Sequence, residues 1–267
     1  MIIDVHTHIF NAKSRDSYQK KLKGKDHKVI VLPWFNSVSP EFLNLKELLK
    51  FVEGEENIFA AGSIDMSEDI PKQLRFHEEL FKEKKIVGIK LYPGYQHFYP
   101  NDSKVIPIAE LCAKHKKPLI FHSGDFYDPE NKALLSYSHP IHIDELANKC
   151  PSTTIVISHF GFPYLLETAN IVARNPNVYT DISGTIDDCG RARDVEKLTK
   201  QYINDLQRVL TYFPSVKMKI LFGTDFVADH LSLNKVQPYC KVIMSLLNKK
   251  EQENAFHGLA EQLYFSN

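Results

Sequence analysis

The 267 residues carry 33 lysines and arginines against 33 aspartates and glutamates, a formal charge of zero. That balance excludes the basic footprint that nucleic acid or an anionic membrane surface selects. The four cysteines, Cys112, Cys150, Cys189 and Cys240, form no C-x-x-C pair, which argues against a thiolate zinc cluster or a dense disulfide scaffold. A small-molecule substrate is the expected partner, with no nucleic acid and no membrane. No stretch approaches the roughly 20 apolar residues of a membrane span, and the N-terminus lacks a secretory pattern, so a cytoplasmic protein is expected. A homodimer is compatible with the sequence.

Short apolar runs rich in Val and Ile alternate with longer segments of helical period, the pattern of βα units and a parallel sheet. In chain order the strands are expected at 2–8 (IIDVHTH), 29–33, 58–65, 87–93 (VGIKLYP), 118–124 (PLIFHSG), 153–161 (TTIVISHFG), 178–184 (VYTDISG) and 219–226 (KILFGTDF). Helices are expected over 41–53, 68–84, 104–115, 141–149, 162–174, 192–212, 235–247 and 250–264. The polar, basic stretch 11–28 reads as a loop after the first strand. No repeat or Pro/Gly/Ser-rich linker marks a boundary, so one domain over 1–267 is expected. Eight strands are the number that closes a (β/α)8 barrel.

Alternation along the first strand sets Asp4, His6 and His8 on one face and Ile3, Val5 and Thr7 on the other. His6 and His8 then lie about 7 Å apart between Cα atoms, close enough for tilted side chains to share a cation. An H-x-H tripeptide alone is common by chance. The ends of other strands change its weight: His122, His159 and Asp225 occupy the same relative place, and four of the 12 histidines sit at carboxyl ends of expected strands. In parallel barrels the active site is assembled there. Imidazoles with a carboxylate and room for water suit a catalytic site for zinc or a similar divalent ion.

Lys90 points into the barrel with Gly88 and Tyr92, while Val87, Ile89 and Leu91 face the helices. An unpaired buried ammonium is costly. Lys90 must therefore meet an anion such as Asp65 or a substrate carboxylate, lose its proton, or be carboxylated into a metal ligand. Asp65, Asp125 and Asp181 are candidate partners that fix imidazole tautomers; a helix cap or turn is the competing reading for Asp125. Tyr92, Tyr95 and His97 are placed along the substrate pocket. His27, His77, His115, His139, His142 and His230 read as surface or helix residues.

The pieces IDVHTH at 3–8, GIKLYP at 88–93, PLIFHSGD at 118–125, IVISHFG at 155–161, VYTDISG at 178–184 and ILFGTDF at 220–226 occur in an order that resembles the amidohydrolase superfamily. The closer resemblance is to the amidohydrolase-related family that includes aminocarboxymuconate-semialdehyde decarboxylase. It implies a single distorted (β/α)8 TIM barrel with a divalent metal at the C-terminal ends of the strands. Zinc is the first choice, manganese or another divalent ion the alternative, and one ion is favoured over two. The residues matching the family's ligands are His6, His8, His122 and Asp225, and the one matching His159 acts in proton transfer or metal binding. The chain departs from the family in HGLAEQLYF at 257–265, where a "GNA" element is usual, and in DFVAD after the last strand. Both departures bear on the substrate mouth and not on the ligand set.

The resemblance implies an enzyme that directs a metal-activated water at an amide, lactone or ester carbonyl, with Asp225 and His159 in catalytic roles. Non-hydrolytic decarboxylation of an unsaturated acid is the alternative, in which Arg191 or Arg193 grips the carboxylate; an ordinary solvated "RAR" is the simpler reading of those two. A barrel that only binds metal, and a two-metal phosphoesterase bridged by a carboxylated Lys90, complete the alternatives.

Overall fold

The computed structural model describes residues 1–9, 26–35, 42–126, 132–186, 194–227 and 236–266. Its strands are β1 (Ile2–His8), β2 (His27–Val31), β3 (Ile58–Ala60), β4 (Gly62–Ser63), β5 (Ile89–Leu91), β6 (Leu119–Phe121), β7 (Ile155–Ile157), β8 (Val178–Asp181), β9 (Ile220–Leu221) and β10 (Phe226–Val227). Every pairing between them is parallel, in the orders β10-β1-β2-β3 and β4-β5-β6-β7-β8-β9. The third and eighth expected strands are each split in two, and these splits are where the two sheets meet. At the first seam Val87 N donates to Ala60 O (2.9 Å) and Gly62 N to Gly88 O (2.8 Å); at the second Val5 N donates to Phe222 O (3.0 Å) and Asp225 N to His6 O (2.8 Å). The architecture is thus a distorted (β/α)8 barrel.

Local chemistry starts and stops the helices close to the expected positions. Asn44 and Glu47 form a reciprocal capping box for Leu45–Val52, Asp69 caps Ile70–Lys82 with Pro71 in its first turn, and Asp194 caps Val195–Tyr212. The last of these buries Thr199, Tyr202, Leu206, Val209 and Leu210, a stripe at helical spacing. A short helix at Leu135–Ser138 was not anticipated, and the final helical region breaks into Lys249–Glu253 and two π-helical turns, Asn254–Gly258 and Glu261–Phe265. The expected loop 11–28 ends earlier than the sequence suggests, because His27 and Lys28 already belong to β2; residues 10–25 lie outside the described residues.

Alternation divides the core. Val31, Ile89, Leu91, Leu119, Phe121 and Ile157 pack outward with the helices, while Ile30, Ile120, Val156 and Leu221 face the barrel interior with Ile3 and Val5. Val87, expected outward, belongs to this inner cluster, since it precedes β5 and is not bound by its alternation. The C-terminal turns close the barrel at the N-terminal ends of the strands: Leu259, Leu263 and Tyr264 join the inner cluster, Phe265 meets Phe59 at 4.7 Å between ring centroids, and Lys117 Nζ donates to Tyr264 O. The opposite end is left for loops.

Lys90, between Ile89 and Leu91, has no exposed surface and lies inside the barrel. Its Nζ donates to Ser158 Oγ at 2.6 Å and stands 5.4 Å from the Tyr92 ring centroid. The expected pairing with Asp65 is not formed. That carboxylate accepts from Ser67 and Gln96 instead and closes a local turn. Burial lowers the Lys90 ammonium from 10.5 to about 7, against the attraction of Asp181 and Asp225. Between these two values the unfolded chain holds a proton that the folded chain does not, so this group makes stability rise with pH across about 7 to 10.5. Below 7 the full cost of the buried charge is present. Lys90→Met is therefore expected to raise the unfolding free energy by about 1–4 kcal/mol at pH 6. The gain should fade by pH 10 in urea titrations; a gain that grows with pH would contradict a buried, charge-strained lysine.

Candidate metal centre

The ends of five strands bring their polar residues to one place. His6 and His8 come from β1, His122 follows β6, His159 follows β7, Asp181 ends β8, and Asp225 sits between β9 and β10. The pairing of β1 with β2 shifts register between Asp4 and Thr7, so simple alternation does not carry along this strand. Such an irregularity re-aims side chains beside a site. Asp4 accepts from Thr224 N and Oγ1 and from His6 N, tying β1 to the start of the Asp225 turn. His159 and Asp225 both have left-handed backbone conformations, φ 61° and 59°. For non-glycine residues these are uncommon and cluster at functional sites.

The side chains converge closely. His6 Nε2 lies 3.4 Å and His8 Nε2 3.1 Å from Asp225 Oδ1. Ligand atoms of His6, His159 and Asp225 all fall within 4.8 Å of one another. His122 joins through His159, with its Nδ1 3.2 Å from His159 Nε2. Gly184, at φ +76°, passes so near that an added Cβ would stand 2.5 Å from His159 Nδ1 and 3.2 Å from Asp225 Oδ2.

Protons can be assigned from the partners, since a carbonyl only accepts and each neutral imidazole has one donor and one acceptor. Asp181 Oδ1 accepts from the Ser183 hydroxyl and from the backbone N–H groups of His159 and Ser183. With its proton committed there, Ser183 Oγ accepts from His159 Nδ1 at 3.0 Å. His6 Nδ1 donates to Asp181 Oδ2 at 3.1 Å, with Ser183 Oγ at the same distance. His122 Nε2 faces the Asp125 carbonyl at 3.1 Å and so donates to it. The remaining nitrogens, His6 Nε2, His159 Nε2 and His122 Nδ1, therefore all carry lone pairs directed at other acceptors.

Facing lone pairs at 3.2–3.4 Å repel unless a cation lies between them. A proton is disfavoured in that place. Burial lowers His6 from 6.5 to about 3, with Lys90 adding to it against Asp181 and Asp225. Burial likewise holds His122 well below 6.5, helped by His159 and Lys90, and lowers His159 against the attraction of Asp225 and Asp181. For Asp225 burial acts upward, but His6, His8 and His159 outweigh it and keep the carboxylate well below its usual range. Burial also works to raise Asp181, and its contacts with His6, His159 and Ser183 keep it ionised. Neutral imidazoles beside an ionised carboxylate, each braced at its far nitrogen, are a donor set that fits a divalent ion.

His8 is braced differently. Its Nδ1 lies 2.9 Å from both Leu32 O and Trp34 Nε1. Beside it stands an aromatic wall: Trp34 stacks on Tyr92 and Phe42, and Tyr95 packs edge-on to Trp34, His122 and Phe126. Tyr92 contributes its ring alone, because its buried hydroxyl is committed to Pro33 O at 2.7 Å. His97 is turned away, stacked on Tyr137 and bonded to Lys132 O. Asp125 offers His122 its carbonyl while its exposed carboxylate accepts from Phe126 N, so it is not a carboxylate partner of the site. His27 and His77, expected at the surface or on helices, are both buried, His27 in β2 and His77 on Ile70–Lys82. Arg191, Arg193 and His230 lie outside the described residues. Sequence reasoning missed Ser183 and Trp34. Ser183 had a signal in its place two residues beyond Asp181 in DISG; Trp34 had none.

Comparison with known proteins bears on the fold and the family. No curated protein matches the chain in sequence. Among solved structures it is similar to a probable 2-pyrone-4,6-dicarboxylic acid hydrolase from Acinetobacter baumannii (14% identity, 99% of each chain covered, TM-score 0.66). It is also similar to 5-carboxyvanillate decarboxylase from Sphingomonas paucimobilis (10% identity, 100% of this chain and 99% of that one, TM-score 0.64). A third is a dihydroxybenzoic acid decarboxylase from a Polaromonas species with bound manganese (12% identity, 99% and 96% covered, TM-score 0.63). At these identities the likeness is one of fold. A family model described as amidohydrolase matches residues 56–265, a span that includes His122, His159 and Asp225 and begins after His6 and His8. The chain is a member of the amidohydrolase family.

Proposed function

We propose that the protein is a metal-dependent hydrolase of a small, planar carbonyl compound such as a lactone, ester or amide. The divalent ion, zinc before manganese, is held by His6 Nε2, His8 Nε2, His122 Nδ1 and Asp225. The observation that carries this reading is the set of imidazole lone pairs directed at one another and at Asp225, which an ion taking up those of His6 and His122 relieves. The ion supplies Lewis-acid polarisation of a carbonyl and lowers the pKa of water from 15.7 to about 7. Asp225, ionised and 27% exposed, is placed to take a proton from the attacking water and return it to the leaving group. His159 Nε2 has its own lone pair free for orienting that water, because its Nδ1 proton is given to Ser183. Trp34, Tyr95 and Phe126 offer a flat apolar wall beside His8 and His122, suited to an unsaturated or aromatic substrate.

That same wall favours a second reading, decarboxylation of a planar unsaturated acid, for which Arg191 is the residue proposed to hold the carboxylate. Among the described residues Arg75 and Arg174 lie on outer helices, as does Arg208, so a carboxylate grip is not supplied by them. The two readings separate in the products. Zinc-loaded protein turning over aryl esters or lactones in 18O-labelled water is expected to place the label in the acid formed. Release of carbon dioxide from a substrate acid without uptake of label would overturn hydrolysis in favour of decarboxylation.

Metal analysis of the purified protein is expected to give one ion per chain. Asp225→Asn should lower kcat by about 10²–10⁴. Ser183→Ala should weaken zinc binding by about 10–100-fold, since Ser183 anchors the Asp181 carboxylate that accepts from His6 and itself lies beside the far nitrogens of His6 and His159, whereas Ser183→Thr should restore most of it. Unaltered zinc affinity in Ser183→Ala, measured by competition with a chelating dye, would contradict the bracing role. His159→Asn retaining zinc while losing turnover would fix His159 in proton transfer; loss of zinc would make it a ligand.

A further inference from the structure

His8 Nδ1 is approached at the same distance, 2.9 Å, by two groups it cannot satisfy together. Leu32 O only accepts, so this contact requires a proton on Nδ1. The indole N–H of Trp34 only donates, so that contact requires Nδ1 to be bare. Each choice fixes the opposite nitrogen. With Trp34 as partner, Nε2 carries the proton and donates to Asp225 Oδ1 at 3.1 Å, closing a chain from indole to imidazole to carboxylate. With Leu32 O as partner, Nε2 is bare and able to coordinate an ion.

We infer that Trp34 is a positioning residue for His8 that competes with the metal: its indole N–H holds the metal-free tautomer, and occupancy of the ion at His8 Nε2 displaces that bond. The inference rests on the reading of His8 as a ligand in the proposed function. Trp34 cannot simply swing away, because its ring is stacked on Tyr92 (centroids 4.8 Å, 30°) and Phe42 (5.4 Å, 27°) and meets Tyr95 edge-on at 5.0 Å. Its N–H therefore stays in the pocket wall next to the ion, changed from a donor already engaged to one left open toward an oxygen of the substrate. An orphaned donor of this kind discriminates for ligands that supply the acceptor. Metal loading and the polarity of the aromatic wall are coupled through one hydrogen bond.

The chain contains a single tryptophan, so a ¹H–¹⁵N spectrum holds one indole peak. On adding one equivalent of zinc to the metal-depleted full-length protein, that proton is expected to move to lower frequency and its solvent exchange to accelerate. The imidazole ¹⁵N signals of His8 should show Nε2 becoming the metal-bound nitrogen. Trp34→Phe should bind zinc about three- to tenfold more tightly, the worth of one hydrogen bond. A His8 signal that moves on zinc binding while the indole peak and its exchange stay fixed would overturn the inference and leave the ligand assignment standing. Zinc that binds without moving His8, or does not bind, would overturn that assignment and the inference with it. Equal or weaker zinc binding by Trp34→Phe would also count against competition.

Discussion

One carboxylate and one hydroxyl decide where the site's protons are. Asp181 receives the Ser183 hydroxyl and two backbone N–H groups on one oxygen and His6 Nδ1 on the other, and Ser183 passes the constraint to His159. Two imidazoles from strands far apart in sequence thereby present Nε2 lone pairs to the same space. Burial then keeps both neutral. Each of these lone pairs faces another acceptor, Asp225 for His6 and His122 for His159, and a cation in that space would relieve the repulsion. Metal affinity in this reading is strain placed in advance by hydrogen bonds.

The barrel serves that arrangement in particular ways. Outer apolar rows along β5, β6 and β7 and inner apolar residues on β6 and β7 pack the two faces of the wall, and the C-terminal turns seal the end away from the site. Glycine at 184 lets the chain run against His159 and Asp225, where any side chain would collide with them. Lys90 adds positive potential beneath the imidazoles and, among the described residues, forms no ion pair with a carboxylate. Its cost in stability is set against a role in keeping His6 and His122 unprotonated, since it lies among the groups that lower both.

Much of this was legible in the sequence, for identifiable reasons. The βα alternation marks the strands because parallel strands buried on both sides read as short apolar runs, and Leu119–Phe121 and Ile155–Ile157 fall inside such runs. Strand-end placement alone groups His6, His8, His122, His159 and Asp225. The splitting of the third and eighth strands was hidden, because Ala61 and Phe222 keep the apolar character of a strand where the ladder breaks. The shift between Asp4 and Thr7 was hidden as well, since a bulge changes which way residues point without changing composition. The inward direction of Lys90 follows from alternation but its partner does not: Asp65 is tied to Ser67 and Gln96, and Ser158 is a neutral residue that charge matching does not suggest. Trp34 belongs to a segment with no motif, and its importance comes only from where the aromatic wall meets His8.

The central claim is that imidazoles braced at their far nitrogens hold one divalent ion with Asp225. Anomalous diffraction at the zinc absorption edge, from crystals of the zinc-loaded protein, tests it most directly. One peak is expected about 2.0–2.2 Å from His6 Nε2, His8 Nε2, His122 Nδ1 and an Asp225 oxygen. A peak bound through Nδ1 of His6, a peak elsewhere in the molecule, or full occupancy without contact to Asp225 would contradict it.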